Sequence, residues 1–399
     1  MAPGESVRDQ GLIDDVLAWA GARPDLATPV FVFSPAAVRA AAERMRSELG
    51  CRISYATKAN AHPLMLAEAR SVVDEFNVTN VDHLDRLLEA AVEPQRIAFV
   101  NPVLTEATIG RVLERGVTRF VVDDARGLDL LKAASGEVRL TLRLRPVDIG
   151  ESSRSVVRFG NTHAVLRELA VSATGAGMTI EALSFFVGTS GAGMHEALPF
   201  RRGIEHLSRL HAALADDGIH VPTINCGGGF PGSRQRFHRD NPRFFGVIAQ
   251  ALSEQFAPDV ARLFEPGRFL TEAAMALLAS VVADRAIDGR RMVCLDASSY
   301  GGLFESSFIE HGGEELAIGI AQRGGTPTTA DVLGPIMDSF DVIKRGASLP
   351  AMAEGETVVL PNTGAYAWGY TTCTEGIACP PVVKLPRALD VRFATAWYG

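Results

Sequence analysis

The groups in this 399-residue chain whose type and spacing suit chemistry are a lysine, two glycine-bearing loops, and a carboxylate three residues from an arginine. Lys58 sits in the block Tyr55-Ala56-Thr57-Lys58-Ala59-Asn60, just past an apolar run and before small residues. A lysine there is either a surface residue at a strand end or a desolvated amine, whose lowered pKa suits Schiff-base formation. Gly227-Gly228-Gly229, with Gly232 three residues on, follows another apolar run. Unhindered N–H groups make an anion cradle, although the same glycines suit a tight turn. No GxGxxG opens a helix there, so this is not a dinucleotide fingerprint. Gly188-Thr189-Ser190-Gly191 offers hydroxyls and N–H groups to the same anion, and its spacing fails the GxSxG nucleophile elbow. In Glu265-Pro266-Gly267-Arg268, the carboxylate and guanidinium either pair with each other or divide two jobs. In the second reading Arg268 and the Gly267 N–H hold a phosphate, and Glu265 faces a protonated ring nitrogen.

Each of these groups follows a short apolar run of strand type. From Pro29 to Met275 such runs alternate with amphipathic stretches: runs begin near Pro29, Arg52, Glu75, Arg96, Arg119, Val138, Ala182, Thr223 and Arg262. Helices are expected from Ser34 to Leu49 and over Pro63–Ala69, Val81–Ala91, Thr105–Arg115, Ala125–Ala134, Ala197–Ala215 and Pro242–Gln255. About eight strands, most followed by a helix, predict parallel pairing and a (β/α)8 TIM-type barrel, with reactive residues at the carboxyl ends of the strands. After Met275 strand-like runs separated by glycine and proline dominate, which predicts a β-rich domain. The expected division is a barrel over 28–275, with 1–27 and 276–399 in the β-rich domain.

Composition narrows the function classes. Apolar residues make up 47% of the chain and charged residues 22%, a globular balance, and the net charge is −8. Acidic and basic residues are mixed throughout, so no basic block argues for a nucleic-acid partner. The stretch from Met1 to Asp14 has no apolar signal core, and the run Ala273 to Ala283 is shorter than the ~20 residues of a membrane span. Cys51, Cys226, Cys294, Cys373 and Cys379 are scattered and read as reduced thiols; the expected setting is cytoplasmic. No HExxH or clustered Cys/His spacing argues for a metal, and the histidines other than His62 read as structural.

Taken in order, the motifs resemble those of the fold-type III pyridoxal-phosphate decarboxylases of ornithine, arginine and diaminopimelate, across nearly the whole chain. The block around Lys58 resembles the cofactor-lysine motif. Phe76-Asn77-Val78-Thr79-Asn80 and Asn101-Pro102 resemble the next two strand ends, and Gly227 to Gly232 and Glu265 to Arg268 match almost verbatim. Gly334-Pro335-Ile336-Met337-Asp338-Ser339-Phe340-Asp341 resembles the GPxCDSxD segment, and Asn362-Thr363-Gly364-Ala365-Tyr366 the late NxGAY element.

The resemblance implies pyridoxal 5'-phosphate as cofactor, carried on Lys58 as an aldimine, and decarboxylation of an α-amino acid or a conjugate bearing one through a quinonoid. It implies a catalytic set of Lys58, Glu265, Met337 and Asp338. Around the cofactor it implies Lys58, Phe186, Thr189, Gly228, Gly229, Glu265, Gly267, Arg268 and Tyr366. It also implies a homodimer in which the 337–338 segment reaches the neighbour's site and Arg158 pairs with Asp341 across the interface. Three positions depart from the family. Phe186 replaces a histidine that stacks on the ring, Met337 a cysteine implicated in returning a proton, and Asn77 an aspartate found in many members. Methionine has no proton to give, which leaves Lys58, His62, Tyr366 or a water. The alternatives are an amino-acid racemase of the same fold, other chemistry on the same cofactor, and a non-catalytic paralogue that acts by binding. Glu265 stands where such racemases carry an arginine, and a protein that only binds partners has no need of a phosphate site.

Overall fold

The computed structural model describes residues 10–134, 136–145, 159–188, 197–232, 243–304, 316–322, 324–372 and 374–398. Its first strand, β1 (Val30–Phe33), is not part of the barrel that follows it, which corrects the boundary expected at residue 28. β1 pairs antiparallel with β10 (Met275–Ile287) and parallel with β15 (Val382–Lys384). All four of its residues are buried, so no alternation in the sequence marks the sheet to which it belongs.

The barrel closes through β2 (Arg52–Ala56), β3 (Glu75–Val78), β4 (Ile97–Phe99), β5 (Arg119–Val122), β6 (Arg139–Arg143), β7 (Thr179–Ser184), β8 (Thr223–Asn225) and β9 (Ala261–Phe264). Every neighbouring pair is parallel, β9 returning to β2. This is the expected (β/α)8 architecture. Several helices start on side-chain caps that accept backbone N–H groups: His62, Asn80, Thr105, Asp124 and Thr162. Such caps contribute about 1 kcal/mol each and fix where a loop ends. The helix His163–Gly175, which the sequence reading omitted, belongs to this series.

An ionic layer fills one end of the barrel. Arg52 of β2 pairs with Glu75 of β3, Arg119 of β5 lies 2.7 Å from Glu75, and Arg119 bonds Glu181 of β7 at 2.8 Å. Side chains from four strands of a closed barrel meet in this way only inside it. Because side chains alternate along a strand, Asn77 shares the inward face of Glu75, and Asp123, just past β5, continues the face of Arg119. The layer lies toward the strands' amino ends, away from the rim where chemistry is expected.

The second sheet runs β13 (Val342–Leu349), β12 (Thr328–Leu333), β11 (Arg290–Leu295), β10 (Met275–Ile287), β1, β15 (Val382–Lys384), with β14 (Thr357–Leu360) also on β10. Two helices absent from the sequence reading, Gln10–Gly21 and Arg387–Tyr398, pack on it. Leu12, Ile13, Val16, Leu389 and Phe393 join Val30, Val32, Leu278 and Val359 in one core. Ser34 and Asp390 cap the helix Pro35–Leu49 together: Ser34 Oγ donates to Asp390 Oδ1 at 2.6 Å, and the carboxylate accepts from the Ala36 N–H at 2.9 Å.

The chain divides into two compact units, Met1–Ala41 with Gly232–Arg236 and Arg268–Gly399, and Ala42–Pro231 with Phe237–Gly267. Among the described residues no helix is long and apolar enough to cross a membrane. No group of three metal-ligating side chains occurs among them either. Cys51, Cys226, Cys294 and Cys379 are free thiols, and Cys373, His195, His238 and His311 lie outside the described residues.

Candidate active site

At the carboxyl ends of the barrel strands the structure places Lys58 and Glu265, two of the charged groups that the motifs select. Lys58 lies in the 3-10 turn Thr57–Ala59 directly after β2. Its side chain reaches solvent, yet protein surrounds it on most sides. That crowding pulls its pKa below the usual lysine value; Glu265 opposes the shift and Arg143 adds to it. The amine is therefore a better nucleophile, and its ammonium a stronger acid, than a free lysine.

Glu265, the residue after β9, accepts a 2.7 Å hydrogen bond on Oε1 from Asn225 Nδ2. Asn225 ends β8, is buried, and accepts the Gly227 N–H on its own Oδ1 at 2.9 Å. One amide thus holds both the carboxylate and the first glycine of the cradle. The Glu265 N–H returns a bond to the Gly227 carbonyl at 2.8 Å. A Cβ on Gly228 would stand 2.5 Å from the Glu265 carbonyl oxygen, and Gly227 has φ +67°, so neither position accepts a side chain without strain. Phe230, next in the loop, packs on Phe200, Phe244, Phe245 and Phe264. This aromatic cluster anchors the cradle and the strand before Glu265 alike.

Phe186, two residues past β7, lies beside Gly228 and Gly229, its Cε2 within 3.9 Å of a Cβ built on either. On the Phe186 ring sits Arg143, the last residue of β6, with Cζ 5.6 Å from the ring centroid; Phe159 takes the same guanidinium at 5.7 Å. Arg143 and Asn225 are the functional residues that motif reading missed. Both end an apolar strand on the barrel rim, the one signal that would have selected them. Three buried polar atoms on this rim have no protein partner: Thr57 Oγ1, Asn77 Nδ2 and Arg143 Nε.

In the other unit, the helical turn Arg268–Thr271 presents Arg268, whose Cζ lies 5.1 Å over the Tyr366 ring. Tyr366 adopts φ +49°, a costly conformation for a tyrosine that its loop must enforce. The Gly364 N–H donates to the Glu272 carbonyl at 3.0 Å and the Thr363 N–H to the Met275 carbonyl at 2.9 Å. The segment bearing Tyr366 is thereby stitched to the segment bearing Arg268. Asp338 Oδ2 accepts from the Tyr300 hydroxyl at 2.9 Å and its Oδ1 from the Phe340 N–H at 2.8 Å. Asp341, nearly fully buried, accepts on Oδ1 from the Ser299 N–H at 2.7 Å and from the Ser298 and Ser299 hydroxyls at 3.0 and 2.8 Å. Met337 and Phe340 are left 93% and 78% exposed. Thr189 and Arg158 lie outside the described residues.

A crowded amine, a carboxylate held by an amide, a side-chain-free cradle and orphaned buried donors fit a polar aromatic aldehyde bearing a phosphate. Comparison with known proteins decides the matter. Residues 35–272 match the family model described as the pyridoxal-dependent decarboxylase, pyridoxal binding domain. The chain belongs to this family. Its cofactor is pyridoxal phosphate and its chemistry that of the amino-acid decarboxylases. The chain is 27% identical over 333 residues to an ornithine decarboxylase of Panagrellus redivivus, covering 78% of this chain and 75% of the relative. It is 26% identical over 365 residues to a lysine/ornithine decarboxylase of Selenomonas ruminantium, covering 89% of each. The fold matches that of a lysine/ornithine decarboxylase from Vibrio vulnificus complexed with cadaverine, with TM-score 0.83 at 22% identity, over 93% of this chain and 98% of that one.

Two measurements probe this geometry. Because crowding favours the neutral amine, Lys58 in the cofactor-free protein should react with an amine-selective reagent with a pH midpoint below the ordinary 10.5. A midpoint at or above that value would show that Glu265 outweighs desolvation. Asn225→Ala removes a hydrogen bond to a charged group, worth ~1.5–3 kcal/mol, so kcat should fall about 10- to 100-fold with the fold intact by circular dichroism. Unchanged turnover would show that Glu265 orients itself.

Proposed function

We propose that the protein decarboxylates an α-amino acid, free or carried on a conjugate, with Lys58 as the cofactor-bearing residue. The observation that carries the reading is the crowded Lys58 amine beside the Glu265 carboxylate that Asn225 fixes. When bound, the cofactor supplies an electron sink for the bond pair left behind as carbon dioxide departs. The remaining work falls to the chain. Glu265 would hold a proton on the ring nitrogen, Phe186 would cover a face of the ring, and Gly228, Gly229 and Gly267 would offer N–H groups to the phosphate, with Thr189, Arg268 and Tyr366 assigned to it by the family resemblance. Asp338 and Met337 are the residues we assign to the substrate's distal end.

The proton that completes the reaction has four candidate sources, and the structure bears on two. His62 uses Nδ1 to accept the Leu64 N–H at 3.1 Å, and burial, with Arg86 nearby, lowers its pKa to about 4. Its ring is neutral near pH 7 and a poor acid. The lowered pKa of Lys58 makes its ammonium the better donor, so we assign the proton to Lys58 Nζ.

The reading includes a homodimer and a cytoplasmic setting. The exposed Met337 and Phe340 support the first, since Tyr300, Ser298 and Ser299 hold the turn that displays them. The free thiols support the second. The expected Arg158–Asp341 bridge meets competition, because Asp341 already accepts from its own chain. Arg158→Ala separates the two roles: a raised dimer dissociation constant supports the bridge, and an unchanged one leaves Asp341 as the anchor of its own turn.

The experiment that tests the function is absorbance of the purified holoenzyme with a panel of amino acids while released carbon dioxide is followed. Cofactor absorbance lost in Lys58→Ala, with carbon dioxide evolved from one compound by the wild type, is the expected result. Exchange of the α-proton without carbon dioxide would transfer the assignment to a racemase. Absence of cofactor absorbance after addition of pyridoxal phosphate would support a non-catalytic binder.

A further inference from the structure

Glu272 is a carboxylate with no surface exposure, four residues beyond Arg268 and outside the motif that carries it. Arg268 Nη1 donates to Glu272 Oε1 at 2.9 Å. The guanidinium is thus held at one edge by the carboxylate while its face meets the Tyr366 ring. Two further features tie Glu272 into this arrangement. A Cβ on Gly232, the last glycine of the cradle motif, would collide with both Glu272 oxygens. The Glu272 carbonyl accepts the Gly364 N–H, so the same residue ties down the loop that brings Tyr366. An unexposed carboxylate is costly unless it is paired and bonded, and deleting one partner leaves the other uncompensated.

We propose that Glu272 is a positioning residue for phosphate recognition: it fixes the orientation of the Arg268 guanidinium, and through it the preference for a phosphorylated over an unphosphorylated pyridoxal ligand. The inference rests on the assignment of Arg268 to the phosphate. Glu272, a carboxylate with acceptor oxygens only, is not itself assigned to the phosphate. Its contribution is orientation, set against a loss of local positive potential. The two effects have opposite signs, and the test reads the sign.

The measurement is the dissociation constant of the cofactor-free protein for pyridoxal 5'-phosphate and for pyridoxal, by quenching of intrinsic fluorescence. The ratio of the two constants isolates the phosphate contribution, because a general loosening of the unit weakens both ligands. Glu272→Ala should lower the preference for the phosphorylated ligand roughly tenfold, a usual cost of losing a group that orients a ligand-binding side chain. Glu272→Gln, whose amide oxygen still accepts from Nη1, should lower it less, and it carries the test alone if Glu272→Ala does not fold. An unchanged ratio in the Gln and Ala variants, or a ratio that rises, overturns the positioning role. Arg268→Ala separates this failure from that of the parent assignment. If Arg268→Ala also leaves the ratio unchanged, Arg268 is not the phosphate ligand and both readings fall. If Arg268→Ala lowers the ratio while the Glu272 variants do not, only the role of Glu272 falls.

Discussion

Glu265 has to remain available as a carboxylate beside a lysine, without being consumed by it. In water an amine and a carboxylate at one rim would pair and spend their chemistry on each other. Here the Asn225 amide occupies Glu265 Oε1 and sets the direction of the carboxylate, and crowding around Lys58 works against the charged amine. Arg143 pushes the same way, because a second cation beside Lys58 disfavours its protonation. Glu265 still pulls the lysine back toward its charged form, so burial must win for the amine to act as a nucleophile. The balance depends on placement, and placement comes from a closed barrel in which eight strand ends converge.

Two kinds of packing hold that placement, and they lie at different heights. Toward the strands' amino ends, Arg52, Glu75, Arg119 and Glu181 cross-link four strands through the barrel interior. Breaking one partner of such a layer costs about 3–5 kcal/mol, and the pairing fixes the relative height of the strands that carry Lys58 and Asn77. Outside the barrel the phenylalanine cluster around Phe230 clamps the cradle loop, with Phe264 immediately preceding Glu265. Rings at 4.8–6.1 Å in tilted, edge and stacked arrangements add about 0.5–1.5 kcal/mol per pair beyond area burial. A one-residue slip of β9 would carry Glu265 to the wrong face and break this cluster as well.

What the sequence reveals follows from how local each signal is. Lys58, Glu265 and the glycines stand within a few residues of an apolar run, so strand-end logic finds them. Asn225 obeys the same rule, but a lone asparagine two residues before a glycine run reads as turn chemistry. Arg143 closes an apolar strand that Arg139 opens, and its significance lies in Phe159, Phe186 and Glu265, which are distant in sequence. β1 is illegible for a different reason: four consecutive buried residues carry no period, so only its partners reveal the sheet it joins. The terminal helix Arg387–Tyr398 did carry a signal, Leu389 and Phe393 four apart, hidden by the strands around it.

The three departures from the family pattern have one chemical sense. Phenylalanine, asparagine and methionine at 186, 77 and 337 replace side chains that titrate or exchange protons with side chains that do neither. Phe186 keeps the flat surface of the residue it replaces, and the Arg143 cation rests on its π face where an imidazole would have competed for protons. Asn77 offers a donor where an aspartate would have offered charge. Burial and the bond to the Leu64 N–H leave His62 neutral, while crowding lowers the pKa of Lys58, and these two observations support our proposal that Lys58 returns the proton.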